Sequence, residues 1–227
     1  MKHFDYYDPA NRADWLEKRE QHRMRGVGGS EIASVANIPG AFGSAYSEWA
    51  SRKGLIPPRE ESAYMADGRD IEAIVQKRFE ATSGLSIRHR YAIITNDAYP
   101  HLFANVDGFV DNEDMGWECK TYDVRSSKFD DGVPPGYVAQ VTVYMAVTER
   151  KRWVLSAWAF GHGTRHFFFT RDESDPKPEW AEEKIVVTEN ELKSAESVAS
   201  DFMRLVEDDT PPELDGSEAT EEAVRAI

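Results

Sequence analysis

The chain has 227 residues, 41% hydrophobic and 11% aromatic, enough for one domain with a real core, which excludes a disordered polymer. Its single cysteine, Cys119, rules out an internal disulfide, a four-cysteine iron–sulfur cluster and a cysteine-rich zinc site, so a metal would have to be held by oxygens. The net charge of −14 argues against nucleic acid, whose phosphates are met by Lys and Arg. However, residues 207–227 hold eight carboxylates against Arg225 alone, so half of that excess belongs to the tail and a local basic channel remains open to the rest. No run approaches the roughly eighteen apolar residues of a membrane span. The opening MKHFDYYDPA has no charged leader before an apolar stretch, so a cytoplasmic location without membrane contact is expected.

In chain order, Asn11 to His22 predicts a polar helix carrying Trp15 and Leu16. Gly26-Val27-Gly28-Gly29-Ser30 breaks it before a short helix from Glu31. A further helix covers Tyr46 to Lys53. Met65 to Thr82 is a stronger one, with Ile71, Ile74, Val75, Arg78 and Phe79 at three-to-four spacing and Gly84 beyond its end. Three strands follow, Ile87 to Thr95, Leu102 to Val110 and Gly116 to Tyr122, the last two joined as a hairpin by Asp111-Asn112-Glu113-Asp114. Asp123 to Gly136 reads as a long loop of the kind that often carries function.

Tyr137 to Thr148 is helical, and Trp153 to Phe160 with Arg165 to Thr170 forms a second hairpin. Thr188 and Glu191 make a capping box for a last helix, whose stripe of Leu192, Ala195, Ala199, Phe202, Met203 and Val206 is a packing face. These elements imply an α/β fold, a central mixed sheet flanked by helices, over residues 1–206, then an acidic, proline-containing tail over 207–227 without a core of its own.

The chemistry concentrates around Asn105-Val106-Asp107-Gly108 and Trp117-Glu118-Cys119-Lys120. Alternation puts Glu118 and Lys120 on one strand face and Cys119 on the other. A turn centred on Asn112 and Glu113 sets Asp107 across from Glu118. Two carboxylates that close are costly unless a cation sits between them, and oxygens at that density suit magnesium, with manganese as a substitute. Lys120 would orient or deprotonate an attacking water and offset charge developing on a phosphoryl group. Asp-x-Gly alone is an ordinary turn, and Glu-x-Lys alone an ordinary salt-bridged strand face.

Three features add weight. Glu72 lies in line with Gly68, Val75 and Phe79, which aims its carboxylate inward. Gln140 stands between Tyr137 and Tyr144 beside the core stripe of Val138, Val141 and Met145, as the wall of a site or as a half-exposed face. In Arg23-Met24-Arg25-Gly26-Val27-Gly28-Gly29-Ser30-Glu31, arginines precede a helix start with a hydroxyl, a combination suited to phosphate.

Together these pieces resemble the YqaJ-type viral recombinase family, similar to the lambda-type exonucleases of the PD-(D/E)-x-K nuclease superfamily. The resemblance runs from Trp15 to about Thr148 and touches the tail from Pro211 to Thr220. Its motifs are R-x-x-G-V-G-G-S-E at Arg23 to Glu31, D-G-R-D-I-E ending at Glu72, V-D-G at Val106 to Gly108, E-C-K at Glu118 to Lys120 and Y-V-A-Q-V-T-V-Y at Tyr137 to Tyr144. Val106 stands where the superfamily name has proline, at a position that supplies no ligand.

The resemblance implies that Asp107, Glu118 and the Cys119 carbonyl hold one divalent metal, Glu72 helps hold a second metal or its waters, Lys120 positions the nucleophile and Gln140 supports the site. Arg23, Ser30 and Asn105 would receive a 5′-phosphate, with Arg19 and Arg25 as alternatives to Arg23. It further implies 5′ to 3′ release of mononucleotides from double-stranded DNA ends, a ring-shaped trimer, a single-strand-annealing protein as partner and, for a phage-encoded chain, the host cytoplasm. Two other readings stand beside it: a structure-specific or restriction-type endonuclease of the same fold, and a non-catalytic DNA-binding recombination scaffold.

Overall fold

The computed structural model describes residues 1–57, 63–123, 125, 127–159 and 161–227, without the side chains of 63–70 and 127. The first half comprises β1 (Lys2–Tyr6), α1 (Arg12–Arg23), β2 (Val27–Gly28), α2 (Ile32–Val35), α3 (Ala45–Arg52) and α4 (Ala63–Ser83). There follow β3 (Ile87–Arg88), β4 (Ala92–Asn96), β5 (Tyr99–Asn105), β6 (Gly108–Val110), β7 (Met115–Thr121) and α5 (Pro135–Thr148). The chain closes with β8 (Arg152–Ala159), β9 (Gly163–Thr170), β10 (Glu183–Val186), α6 (Glu189–Glu207) and α7 (Glu218–Ala226).

Local chemistry accounts for the helix starts. Asn11 caps α1 through its side-chain oxygen, Ser44 and Ser47 form a reciprocal box at α3, and Thr188 and Glu191 do the same at α6. Pro135 opens α5, a position where the missing N–H costs nothing. The expected loop after β7 therefore ends at Pro134, and Ser127–Phe129 within it forms a 3-10 turn.

The α/β expectation holds, but the strands form two sheets, β1-β4-β5-β2 and β10-β9-β8-β7-β6-β3. The runs expected as two continuous strands, Ile87 to Thr95 and Leu102 to Val110, each break and pass from one sheet to the other. They remain one bent hairpin: Ile93 pairs with Asn105 in the first sheet and Arg88 with Phe109 in the second. Residues 89–92 therefore face only 106–108, one residue fewer, and Tyr91 takes up the excess with φ 46°. Such an unpaired extra residue kinks a ribbon. Asp107 sits at that kink.

The larger sheet is covered on both faces. Alternation along β8 sends Trp153, Leu155 and Ala157 to the core shared with α5, and Val154 to the core shared with Val75 and Phe79 of α4. Ile74, expected on the buried stripe of α4, is 48% exposed. A Cβ on Gly116 would lie 2.3 Å from the Trp153 ring, so only glycine lets this indole seat against β7.

The short strands β1, β2 and β10 are set by pairing with β4, β5 and β9 rather than by local pattern. The tail also departs from expectation. After an extended stretch it forms α7, capped by Ser217, with Thr220 and Ala223 buried and the Thr220 hydroxyl 2.7 Å from that of Ser44. Among the described residues no helix is long and apolar enough to cross a membrane.

Candidate active site

Glu118 anchors the site. On β7 its face is that of α5, and it is 2% exposed. Oε1 accepts hydrogen bonds from Lys120 Nζ at 2.6 Å and Gln140 Nε2 at 2.7 Å, while Oε2 is buried with no partner. Gln140 also donates to the Tyr144 hydroxyl at 2.7 Å, which holds its amide in place. The β6–β7 pairing of Gly108 with Trp117, carried on by one residue, sets Asp107 opposite Glu118 as the turn implied, and Asp107 Oδ2 accepts from the Cys119 N–H at 2.8 Å.

Glu72 reaches the same place from α4. Its Oε1 lies 3.8 Å from His89 Nδ1, and that nitrogen is 2.6 Å from the Asp107 carbonyl oxygen. The other ring nitrogen of His89 is 2.8 Å from Gln76 Oε1, so the imidazole ties α4 to the kink. Glu72, Asp107, Glu118, Lys120 and Gln140 are thus brought together from α4, the kink, β7 and α5. Gly68, used to orient Glu72 in the sequence, lies outside the described side chains.

The carboxylates crowd one another. Burial, then Asp107, pushes Glu72 up to about 8, against a partial pull from Lys120. Burial and Asp107 likewise raise Glu118 well above its ordinary value. Burial pulls Lys120 down, but Glu118 and Asp107 outweigh it and keep the ammonium charged. Burial and Asp107 raise the Cys119 thiol.

A lone buried carboxylate oxygen among acids that resist ionising together fits a divalent cation held by oxygens. Among the described residues no three His, Cys, Asp or Glu side chains close a metal site by themselves. An ion here would complete its shell with a backbone carbonyl, water or phosphate, as magnesium commonly does.

The phosphate-binding candidates divide. Arg23 is buried against Glu31 at 3.3 Å and Glu48 at 2.9 Å, and it also pairs with Glu20 at 3.5 Å. Arg19 also pairs with Glu31, at 2.8 Å, but is 30% exposed, and its charge is felt by the Tyr144 phenol. Ser30 and Arg25 are exposed. The short helix expected from Glu31 runs from Ile32, has four residues, and is capped by Glu31 with no side-chain bond, so it offers no extended N-terminus for an anion. The loop does reach the site: a Cβ on Gly29 would lie 2.4 Å from the Tyr144 ring. Asn105 Oδ1 accepts from Trp15 Nε1 at 3.3 Å, tying α1 to the strand that leads into Asp107.

Sequence reasoning passed over His89 and Tyr7. His89 stands between Arg88 and Arg90 and carried no local signal. Tyr7 had none either: its N–H donates to the Tyr91 carbonyl as an extension of the β1–β4 pairing, which the sequence does not announce, and burial followed by Asp107 raises its phenol to about 12.

A kinked hairpin carrying Asp107, a Glu-x-Lys strand beside it and helices on both faces define the PD-(D/E)-x-K type of nuclease fold. The profile of the YqaJ-like viral recombinase domain matches residues 14–151, and the chain belongs to that family. It is 32% identical over 142 residues to the uncharacterized protein YqaJ of Bacillus subtilis (strain 168), a match spanning 60% of this chain and 42% of that relative.

Among solved structures it is similar to an alkaline exonuclease from Laribacter hongkongensis, with a TM-score of 0.63 and 17% identity over 92% of this chain and 96% of that one. The same enzyme in complex with dAMP gives 0.64 and 17% over 86% and 93%. A phage-related exonuclease from Haemophilus somnus 129PT gives 0.57 and 13% over 82% and 96%.

Proposed function

We propose that the protein is a magnesium-dependent exonuclease that degrades linear double-stranded DNA from its ends, releasing mononucleotides 5′ to 3′ for recombination by strand annealing. The observation that carries this reading is Glu118, buried with one unbonded carboxylate oxygen beside Asp107 and Glu72 and with Lys120 on the other oxygen. Family membership and the fold shared with exonucleases support it, and the dAMP bound by one of those enzymes is the kind of product it predicts.

Asp107, Glu118 and the Cys119 carbonyl are the residues that would hold one cation, with Glu72 serving a second or its waters. A bound magnesium or manganese ion supplies Lewis acidity toward the phosphoryl oxygen and lowers the pKa of water. Lys120, kept charged by its neighbours, orients the attacking water and offsets negative charge at the phosphorus. Gln140, itself held by Tyr144, fixes the rotamer of Glu118.

Arg19, half-exposed and paired among the described residues only with Glu31, takes the 5′-phosphate with Ser30 and Asn105, in place of the charge-saturated Arg23. Polarity, a ring-shaped trimer and an annealing partner follow from family resemblance.

The test is digestion of linear duplex labelled at either end, by wild-type and Lys120→Ala protein, with magnesium or EDTA, beside closed circles. Early magnesium-dependent release of the 5′ label, with circles spared and the variant inactive, is expected. Cut circles would mean an endonuclease, and binding without cutting would mean a scaffold.

A further inference from the structure

On the α5 side of the kink lies a ladder of rings and guanidinium groups. Tyr6 stacks on Phe4 with centroids 6.1 Å apart, and the Arg90 guanidinium lies 5.5 Å from the Phe4 ring and 5.8 Å from that of Phe109. Arg150 continues the ladder at 5.0 Å from Phe109. Lys2, Arg90 and Arg150 all line one cavity of about 190 Å³ floored by Phe4 and Phe109.

Three cations around one cavity are notable on a chain of charge −14 with 41 acidic residues. Lys2 is partly met by Glu149 at 3.2 Å, and Arg150 by Asp114 at 3.5 Å. Arg90 is exposed and has no carboxylate partner among the described residues. Its guanidinium lies against two ring faces with no acid beside it, and a cation so placed can receive a phosphate oxygen. Tyr6 is 57% and Phe4 36% exposed, so ring surface stands beside the cations.

Interleaved aromatic faces and cations are how proteins hold single-stranded nucleic acid: bases stack on rings and the backbone follows the charge. A duplex keeps its base faces hidden except at an end. The ladder also adjoins the carboxylate site. Arg90 follows His89, whose ring contacts the Asp107 carbonyl, and Phe109 is two residues past Asp107, about 7 Å along the strand.

The geometry points to a second, non-catalytic site that binds single-stranded DNA, the strand spared as its complement is digested. This rests on the exonuclease reading for the source of that strand. A spared strand held here would be kept from re-pairing while its partner is trimmed a few ångströms away.

The experiment is fluorescence anisotropy of a labelled oligo-dT and of a blunt duplex, in EDTA across a salt series, for the full chain and its Arg90→Gln and Tyr6→Ala variants. Circular dichroism serves as the control for folding, and a parallel magnesium digestion of linear duplex is run with the wild type. Tyr6→Ala is expected to weaken oligo-dT about fivefold or more through lost stacking. Arg90→Gln should weaken it comparably and lower the salt slope by about 0.7, the increment for one phosphate contact on a single strand. Duplex affinity should change less than twofold.

Folded variants that bind oligo-dT as the wild type does would overturn the site. A loss confined to duplex would overturn it in favour of a duplex phosphate contact. Wild-type protein that digests duplex but binds no oligo-dT would overturn this inference alone, whereas failure to digest would overturn the exonuclease reading.

Discussion

Two buried clusters of charge lie a short way apart in this molecule, and they are built on opposite principles. Around Glu31 every oxygen is matched. Oε1 meets Arg19 at 2.8 Å and Arg23 at 3.3 Å, and Oε2 meets Arg52 at 2.8 Å and the Gly28 N–H at 3.3 Å. Burial works to raise Glu31, yet the three arginines, Arg52 foremost, hold it below its ordinary value. Around Glu118 the acids outnumber their one ammonium, an oxygen is left bare, and the carboxyls are pushed upward. The first cluster is complete as it stands and braces α1, α2 and α3. The second is incomplete, and what it lacks is positive charge.

That contrast is broken most severely by neutralising one member of each cluster. Glu118→Gln should lower nuclease activity on the order of a thousandfold, since it removes a metal oxygen and the partner of Lys120. The same change relieves repulsion with Asp107, so the metal-free variant should melt no lower than the wild type. A large drop in its melting temperature would show that Glu118 serves the scaffold.

Glu31→Gln should do the reverse. Leaving the buried Arg23 and Arg52 to share Glu48 should cost about 3 kcal/mol in urea unfolding, the low end for breaking a buried pair. A loss under about 1 kcal/mol, the value of an exposed pair, would mean the cluster is solvated.

The comparison sharpens with the arginines. Arg19→Ala should raise KM about tenfold for 5′-phosphorylated ends, as expected when one charged contact to a phosphate is lost, with little change in kcat. Arg23→Ala should show itself chiefly as lost stability. The opposite pattern would return the phosphate to Arg23.

This reassignment shows where sequence reading stops. Spacing to Ser30 favours Arg23, but whether an arginine is free depends on Glu48, 25 residues away and brought in by the fold. What was legible was local: the Glu118-x-Lys120 alternation, the hairpin register that opposes Asp107 to Glu118, and the capping box at Thr188. Hidden from local pattern were the extra residue that kinks the hairpin at Tyr91, strands such as β2 that exist only by pairing, and α7, whose burial depends on Ser44. The carboxylates proposed to hold a metal stood out because they break local rules, whereas their neighbours His89 and Tyr7 obey them.

The smallest expected effect is on pH dependence. The Glu72 carboxyl, ordinarily near 4.5, sits near 8 in the folded chain, so the native state holds its proton more tightly than the unfolded state does. The stability this confers is fully present below about 4.5 and is lost as pH rises through about 8. Metal-free wild type should therefore lose melting temperature over that window more than Glu72→Gln does. Magnesium should reverse the loss, and activity at limiting metal should rise through the same window. Parallel curves for the two proteins would contradict the repulsion.

The central claim is that the Glu118 cluster is a cation site short of its cation. Calorimetric titration of the metal-free protein with manganese near neutral pH, in two buffers of different ionisation heat, tests it directly. The account predicts that wild type binds manganese and releases protons as Glu72 and Glu118 ionise, and that Glu118→Gln binds far more weakly. Equal binding by the two proteins, or none by the folded wild type, would contradict it.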